Sequence, residues 1–220
     1  MKIIDFHTHI LPGADHGSDS IETSLAQIEL SKSANVDIIV ATPHFYPHKH
    51  NLDKFVERRA RAYASLMKKS DAKIIQGAEV LLCDKLENME NLDVLCVEGT
   101  KTLLVELPFS EFRDSYKDTV EALIDSGYNV VLAHAERYPK ESINKLLDVG
   151  AVIQLNVSSI SRFFIKRHVR EWLNLGYVVA LGSDIHMLNK NFYKKFNKAK
   201  CKLKGKFEDI MAKTINYLPY

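Results

Sequence analysis

Cysteine is scarce in this chain. Its 220 residues include three, Cys83, Cys96 and Cys201, and no pair has Cys-x-x-Cys spacing. That excludes a disulfide framework and a thiolate zinc site, and it makes a reducing cytoplasm the expected compartment. No apolar run approaches the ~20 residues that a membrane span needs. The first eleven residues carry Lys2, Asp5, His7 and His9 within their apolar stretch, so they do not read as a signal peptide. No Pro/Gly/Ser-rich linker or residue-level repeat divides the chain, and one domain over 1–220 is expected. Several catalytic signatures are also missing: GxSxG, GxGxxG and GxxxxGK do not occur. A Cys-x5-Arg phosphatase loop would need arginine six positions after a cysteine; those positions hold Met89, Thr102 and Phe207.

What remains is the composition of an ordinary globular protein, 46% apolar and 26% charged. Net charge is +2 but unevenly spread. Residues 187–220 carry nine lysines against Glu208 and Asp209, a net of +7, which leaves −5 for the rest. A solvated lysine-rich helix face is the first reading of that segment. A phosphorylated partner or anionic lipid comes next, and nucleic acid last, because no binding fold is recognisable around the lysines.

A rhythm runs along the chain. Short apolar runs read as buried parallel strands at Lys2–Phe6, Asp37–Ala41, Lys73–Gln76, Thr102–Val105, Asn129–Ala133, Ala151–Leu155 and Val178–Gly182. Amphipathic stretches with helical spacing separate them: Ser20–Ser33, Leu52–Lys69, Asp114–Ser126, Lys140–Val149, Ser161–Leu175 and Asn191–Thr214. In the first, Ile21, Leu25, Ile28 and Leu30 form the expected inward face; in the second, Phe55, Val56, Ala60, Tyr63 and Leu66 do. Gly127, Gly150 and Gly176 each follow a helix, where a left-handed cap calls for glycine. The segment Leu82–Gly99 holds a short helix or only a loop. Strands alternating with helices imply parallel pairing, and a closed or nearly closed α/β barrel fits.

Chemistry gathers at the strand ends. His7 and His9 follow the first strand, His44 the second and Glu79 the third. Glu106 ends the fourth, His134 the fifth, Asn156 the sixth, and Asp184 and His186 the seventh. In an α/β barrel those carboxyl ends share one face, where such folds place active sites. Imidazole and carboxylate suit zinc, manganese and iron. At a strand end both rings of His7-x-His9 can reach one ion, and Asp184-x-His186 repeats the device. Taken alone, His44 or His134 reads as a satisfied core histidine. Glu79 and Glu106 resist that reading, because each ends an apolar strand and a buried carboxylate needs a partner; Arg137 is the clear nearby base. Eight metal-capable side chains exceed the needs of one ion, so two or three metals with a bridging carboxylate are expected. His48, His50 and His168 lie away from the strand ends and are expected at the surface.

The stretches Asp5-Phe-His-Thr-His-Ile-Leu-Pro-Gly, Ala41-Thr-Pro-His, Gly77-Ala-Glu, Leu104-Val-Glu, Ala133-His-Ala-Glu-Arg-Tyr, Gln154-Leu-Asn and Gly182-Ser-Asp-Ile-His resemble, in order, those of the polymerase and histidinol phosphatase (PHP) superfamily. More narrowly, the chain resembles the bacterial manganese-dependent protein-tyrosine phosphatases of capsule and exopolysaccharide loci. The resemblance implies a distorted (β/α)7 barrel holding three divalent ions, with manganese first and iron or zinc as alternatives. It implies that His7, His9, Glu79 and Asp184 hold one ion, that Glu79, Glu106 and His134 hold a second with Glu79 as bridge, and that His44 and His186 hold the third with a ligand from the loop after residue 13. Arg137, Glu106 and His134 are the implied catalytic residues. The implied partner is a tyrosine-phosphorylated bacterial kinase. Two positions depart from the pattern. His16 stands in Asp15-His16-Gly17 where relatives carry a second aspartate, and either His16 or Asp15 can complete the third site. Lys190 stands near where relatives place a phosphate-binding arginine, so phosphate capture is expected to rest on Arg137 with Lys190 in support. The competing expectations are a small-molecule phosphomonoesterase of the histidinol-phosphate type and a metal-binding regulatory protein without turnover.

Overall fold

The computed structural model describes residues 1–109, 111–188 and 191–219. Each of the expected apolar runs forms a strand: β1 (Ile4–Thr8), β2 (Ile38–Ala41), β4 (Ile74–Gln76), β6 (Thr102–Glu106), β7 (Asn129–Leu132), β8 (Val152–Asn156) and β9 (Val178–Gly182). Two short strands come in addition, β3 (His44–Phe45) and β5 (Glu79–Leu81). All named pairs are parallel. One sheet has the order β1-β2-β4, the other β3-β5-β6-β7-β8-β9.

The extra strands arise because two runs are interrupted and resume. Thr42-Pro43 separates β2 from β3, and Gly77-Ala78 separates β4 from β5. Proline has no N–H for the ladder, so regular pairing stops there. The interrupted stretches stay in step: Gly77 N donates to Ala41 O at 2.8 Å and Glu79 N to Pro43 O at 3.1 Å. After the break, His44 stands opposite Glu79. At the other end of the strand series, Asp184 N donates to His7 O and His9 N to Ile185 O, which joins the chain beyond β9 to the end of β1.

Helices connect the strands. α1 (Ile21–Ser33) starts at Ser20, whose side chain accepts from Thr23 N, and α2 (Leu52–Met67) starts at Asn51, which accepts from Lys54 N. α3 (Asp114–Asp125) and α4 (Lys140–Leu147) match their expected stretches. Gly127, Gly150 and Gly176 all adopt positive φ, as a left-handed cap requires.

Four details correct the sequence reading. The inward face of α1 is Ser24, Gln27, Ile28 and Ser31, with Ile21, Leu25 and Leu30 only half-buried. Its polar residues find partners in loops packed against the helix: Ser24 pairs with Ser18, and Gln27 Nε2 reaches His186 O at 3.5 Å while its Oε1 stays unpartnered. On α2, Ala60 faces out while Arg59 is buried and donates to Gly77 O and Val94 O, both at 2.8 Å. The guanidinium thus serves a carbonyl freed by the β4/β5 interruption. The stretch 161–175 is not one helix. α5 (Val157–Ile160) ends early, residues 161–166 bend, and α6 (Arg167–Leu175) follows. Phe163 and Phe164 are adjacent and both exposed, so they offer no helical face to bury. The last stretch breaks at Lys204, with φ 50°, into α7 (Asn191–Leu203) and α8 (Gly205–Thr214). Residues 82–99 contain only short 3-10 turns at Leu86–Asn88 and Leu92–Leu95.

The break at Lys204 lets both helices bury an apolar face. Tyr193, Phe196, Ala199 and Leu203 are buried from α7, and Phe207, Ile210 and Met211 from α8. α8 lies against β9 and β1. The described lysines of this segment are exposed or half-buried, as a solvated face requires. Among the described residues no helix is long and apolar enough to cross a membrane.

Candidate metal centre

β1 is buried throughout, and its period-two alternation sends His7 and His9 to the same side. Their Nε2 atoms lie 3.1 Å apart. Each ring is held from behind. His7 Nδ1 lies 3.0 Å from Gln154 Oε1, and His9 Nδ1 lies 2.6 Å from Asp15 Oδ2. These acceptors each take a hydrogen bond from an Nδ1 proton and turn the two Nε2 atoms toward each other, the atoms that would face a bound cation.

Glycine makes the approach feasible. A Cβ at Gly182 would stand 2.5 Å from His7 Cβ and 2.7 Å from Gln154 Nε2, and one at Gly17 would stand 2.3 Å from His9 Cβ. Neither position tolerates a side chain without moving a histidine.

Glu79, at the start of β5, is the hub. Its Oε2 lies 3.1 Å from His7 Nε2, 3.2 Å from His9 Nε2 and 3.0 Å from His44 Nδ1. Its Oε1 lies 2.7 Å from His134 Nε2. Although completely buried, Oε2 has no hydrogen bond of acceptable geometry, and neither does His44 Nδ1. A buried, unsatisfied carboxylate oxygen among three imidazole nitrogens is expensive unless an ion takes it up. Glu106, at the end of β6, lies 3.4 Å from His44 Nδ1 and 3.8 Å from His134 Nε2. Asp184 Oδ1 lies 3.5 Å from His9 Nε2, 3.7 Å from His7 Nε2 and 3.4 Å from His186 Nδ1. His186 Nε2 in turn lies 3.3 Å from His44 Nε2. Three groups of ligand atoms converge tightly enough for an ion: His7, His9 and Glu79; His44, Glu79 and Glu106; and His9, His44 and His186. The donor set, imidazole and carboxylate without thiolate, fits manganese, iron or zinc.

The charges are mutually supported. Burial opposes ionisation of His7 and His9, yet Glu79, Asp184 and, for His9, Asp15 hold both above the ordinary histidine value. Burial likewise opposes charge on His44, but Glu106 and Glu79 raise it to about 9. Glu79 is held well below the usual carboxylate range, against its own burial, by the charge of His7 and the contacts of His134 and His44. Asp184 is also lowered despite burial, by His7, His9 and Arg137. His186 falls to about 4 through burial and repulsion by His9.

The backbone is strained where the ligands need aiming. His134 and Asp184 have φ of 33° and 53°, in the left-handed region that side-chain-bearing residues avoid. His134 N donates to Gln154 Oε1 at 2.7 Å, and Asn156 Nδ2 donates to Asp184 Oδ2 at 2.9 Å. Arg137, in the 3-10 turn Ala135–Arg137, pairs with Asp184 Oδ2 and leaves 42% of its side chain exposed.

Every strand-end residue named from the sequence therefore enters one site. His16 stands at its edge. It is exposed, and its ring stacks on His44 at 4.7 Å and lies 4.8 Å from His186, outside the convergent groups. Asp15 faces inward instead: its oxygens accept from His9 Nδ1, His44 N and Gly17 N. Lys190 lies outside the described residues. His48 is exposed as expected, while His50 and His168 are half-buried, His50 beside Tyr46 and His168 against Trp172. Sequence reasoning gave no role to Gln154, Gly17 or Gly182. A glutamine within an otherwise apolar buried strand was the available signal for the first.

Residues 3–218 match the family described as capsular polysaccharide synthesis, CpsB/CapC. CapC of Staphylococcus aureus is 27% identical over 94% of this chain and 87% of its own length. The tyrosine-protein phosphatase CpsB of Streptococcus agalactiae serotype V is 29% identical over 85% of this chain and 84% of its own. The fold is shared with a solved structure described under YwqE from Bacillus subtilis and CpsB from Streptococcus pneumoniae, unique metal-dependent tyrosine phosphatases. That match has a TM-score of 0.78 at 23% identity and covers 99% of this chain and 96% of the other. The chain belongs to the CpsB/CapC family of capsular polysaccharide synthesis.

Proposed function

We propose that this protein is a metal-dependent protein-tyrosine phosphatase acting on a tyrosine-phosphorylated bacterial kinase that governs capsule or exopolysaccharide synthesis. The observation that carries the reading is the convergence of three imidazole nitrogens on the unsatisfied Glu79 Oε2, within a family tied to capsule synthesis. The names of the relatives supply the substrate class.

In this reading the chain is a single domain, a distorted (β/α)7 barrel whose interrupted runs count as one stave each, working in the cytoplasm. Three divalent ions, manganese first, would be held by His7, His9, Glu79 and Asp184; by Glu79, Glu106 and His134; and by His44, His186 and one loop residue, His16 or Asp15. When bound, such ions polarise phosphoryl oxygens and acidify water towards neutrality. Arg137 leaves Asp184 to clamp the phosphoryl oxygens with its planar fork, supported by Lys190. Glu106 and His134 sit beside the reacting group. Gln154 and Asp15 keep His7 and His9 in the ligand tautomer. Next to the cluster, a cleft of about 340 Å³ is lined by Leu107, Pro108, Phe112, Tyr116 and Tyr138, whose ring lies 5.7 Å from His134, together with the charged Glu111, Glu141 and Lys145. Its aromatic and apolar walls suit the ring of a phosphotyrosine. The phenoxide that leaves has a pKa of ~10, so it needs less protonation than an alkoxide.

The test is to load the protein with Mn²⁺ and compare phosphotyrosine peptide, histidinol phosphate and buffer alone. Turnover of the peptide, lost in Glu79→Gln and His134→Ala, is the expected result. Turnover of histidinol phosphate alone would assign a small-molecule phosphatase, and metal uptake without hydrolysis a regulatory protein.

A further inference from the structure

A second cleft, of about 390 Å³, opens on the His44 side of the metal centre, with Asp15, His16, His44, Tyr46, His50 and Arg58 among its walls. Its walls are mostly cationic or donor-bearing. Lys49 leans over the Tyr46 ring and His48 adjoins it. Asp15 is the one carboxylate among the lining residues, and its oxygens are already taken by His9, His44 N and Gly17 N. His50 Nδ1 accepts from Tyr46 N, so its other nitrogen is left as a donor.

Arg58 is the informative residue. Its neighbour Arg59 is buried and spends both terminal nitrogens on backbone carbonyls, with its Nε likewise unpartnered. Arg58 instead lines the cleft, with a buried Nε that has no hydrogen-bond partner. Among the described residues no carboxylate pairs with it. Its guanidinium rests near the Phe55 ring at 5.9 Å, which orients it without neutralising it. An unneutralised arginine held half-buried beside a cleft is arranged for an anion, and its planar fork suits carboxylate and phosphate alike. The cleft shares His44 and His16 with the metal centre, so a group bound there lies next to a phosphoryl group on the ions. Its volume suits one side chain.

We propose that this cleft, through Arg58, binds a second anionic group of the substrate, a phosphoryl or a carboxylate on a residue neighbouring the phosphotyrosine. The assignment rests on the phosphatase reading and narrows its substrate to acidic or multiply phosphorylated segments. Arg58 is a specificity residue here; it performs no chemical step.

The test uses Mn²⁺-loaded full-length protein and three fluorescent peptides. Each carries a phosphonomethyl-phenylalanine, which cannot be hydrolysed, at the centre. Its two neighbours are glutamine, glutamate, or further phosphonomethyl-phenylalanine. Anisotropy titrations should give the anionic peptides at least about fivefold tighter binding than the glutamine peptide, the scale of one well-placed ion pair. Arg58→Gln should abolish that advantage, and Arg58→Lys should keep part of it. If only one anionic peptide gains, that result names the source, phosphoryl or carboxylate. Equal affinity of the wild type for all three peptides overturns the proposal, and so does an advantage that survives in folded Arg58→Gln. If that variant does not fold, the wild-type comparison and Arg58→Lys still decide. The phosphatase reading is checked separately, by wild-type turnover of a phosphotyrosine peptide with glutamine neighbours. Its absence sinks that reading, whereas turnover with no anionic preference sinks only the cleft assignment.

Discussion

Two regions of this molecule are dense in charge, and they treat it oppositely. The strand ends bury Glu79, Glu106, Asp184 and their histidines, with contacts of 2.7–3.8 Å that fix every partner. The helices α7 and α8 carry more formal charge along their length but turn nearly all of it to solvent. In the first region each charge is conditional on its neighbours, because a desolvated group left alone costs several kcal/mol. In the second, the described lysines are exposed or half-buried, and the few that find a hydrogen-bond partner in the protein, Lys202 and Lys213, reach only surface carbonyls. Charge content alone therefore says little about function; burial of the charge says much.

The largest expected effect comes from the hub. Glu79→Gln keeps the shape but removes a charge shared by four histidines, and metal-dependent hydrolysis should fall on the order of a thousandfold, consistent with the several kcal/mol that metal polarisation supplies. Steady-state kinetics at saturating Mn²⁺, with metal content measured on the same sample, checks this. A variant with near-normal activity would remove Glu79 from the centre.

Next comes Gly182→Ala. The added methyl meets His7 Cβ at 2.5 Å, so the strand or the ring must move. Overpacking of this kind costs about 1–3 kcal/mol, read as a lower urea midpoint together with weaker metal binding. Loss of stability with intact metal affinity would show that the ring can shift without leaving the site. Gln154→Ala is smaller in stability but should still lower metal affinity about 10–100-fold, the usual effect of losing a partner behind a ligating histidine. It frees His7 Nδ1 and His134 N together. Calorimetric titration with Mn²⁺ gives the number directly.

These predictions fall on residues of unequal legibility. The candidate ligands could be read from the sequence because an acid or imidazole ending an apolar strand conflicts with its surroundings. The seven principal strands were legible for the same reason, as uninterrupted apolar runs. The interruptions at Thr42-Pro43 and Gly77-Ala78 were not, because one proline or glycine marks many kinds of turn. The face of α1 was misread since Ser24 and Gln27 are buried by polar contacts that only the folded loops provide. Arg59 was missed likewise, as its acceptors lie 18 and 35 residues away. The split at Lys204 follows from the need of Phe207, Ile210 and Met211 to fold back onto β9, which periodicity along one helix does not encode.

The smallest expected effect lies in the other half of the comparison. Lys194, Lys198, Lys202 and Lys206 are exposed, and their helices are anchored by Tyr193, Phe196 and Phe207 on the opposite face. Replacing these four lysines with glutamine should change unfolding free energy by no more than about 0.5 kcal/mol per site, because exposed side chains without buried partners contribute little. Mn²⁺ binding should not change. Phe207→Ala on the same helix should cost about 3–5 kcal/mol, since it empties a fully buried site. If the lysine variant proved as damaging as Phe207→Ala, these charges would have to be part of a buried network, and the contrast between solvated and desolvated charge would fail. If it left stability intact but weakened dephosphorylation of a full-length partner without affecting a short peptide, the lysine face would be a docking surface, acting through long-range attraction that rising salt should erase.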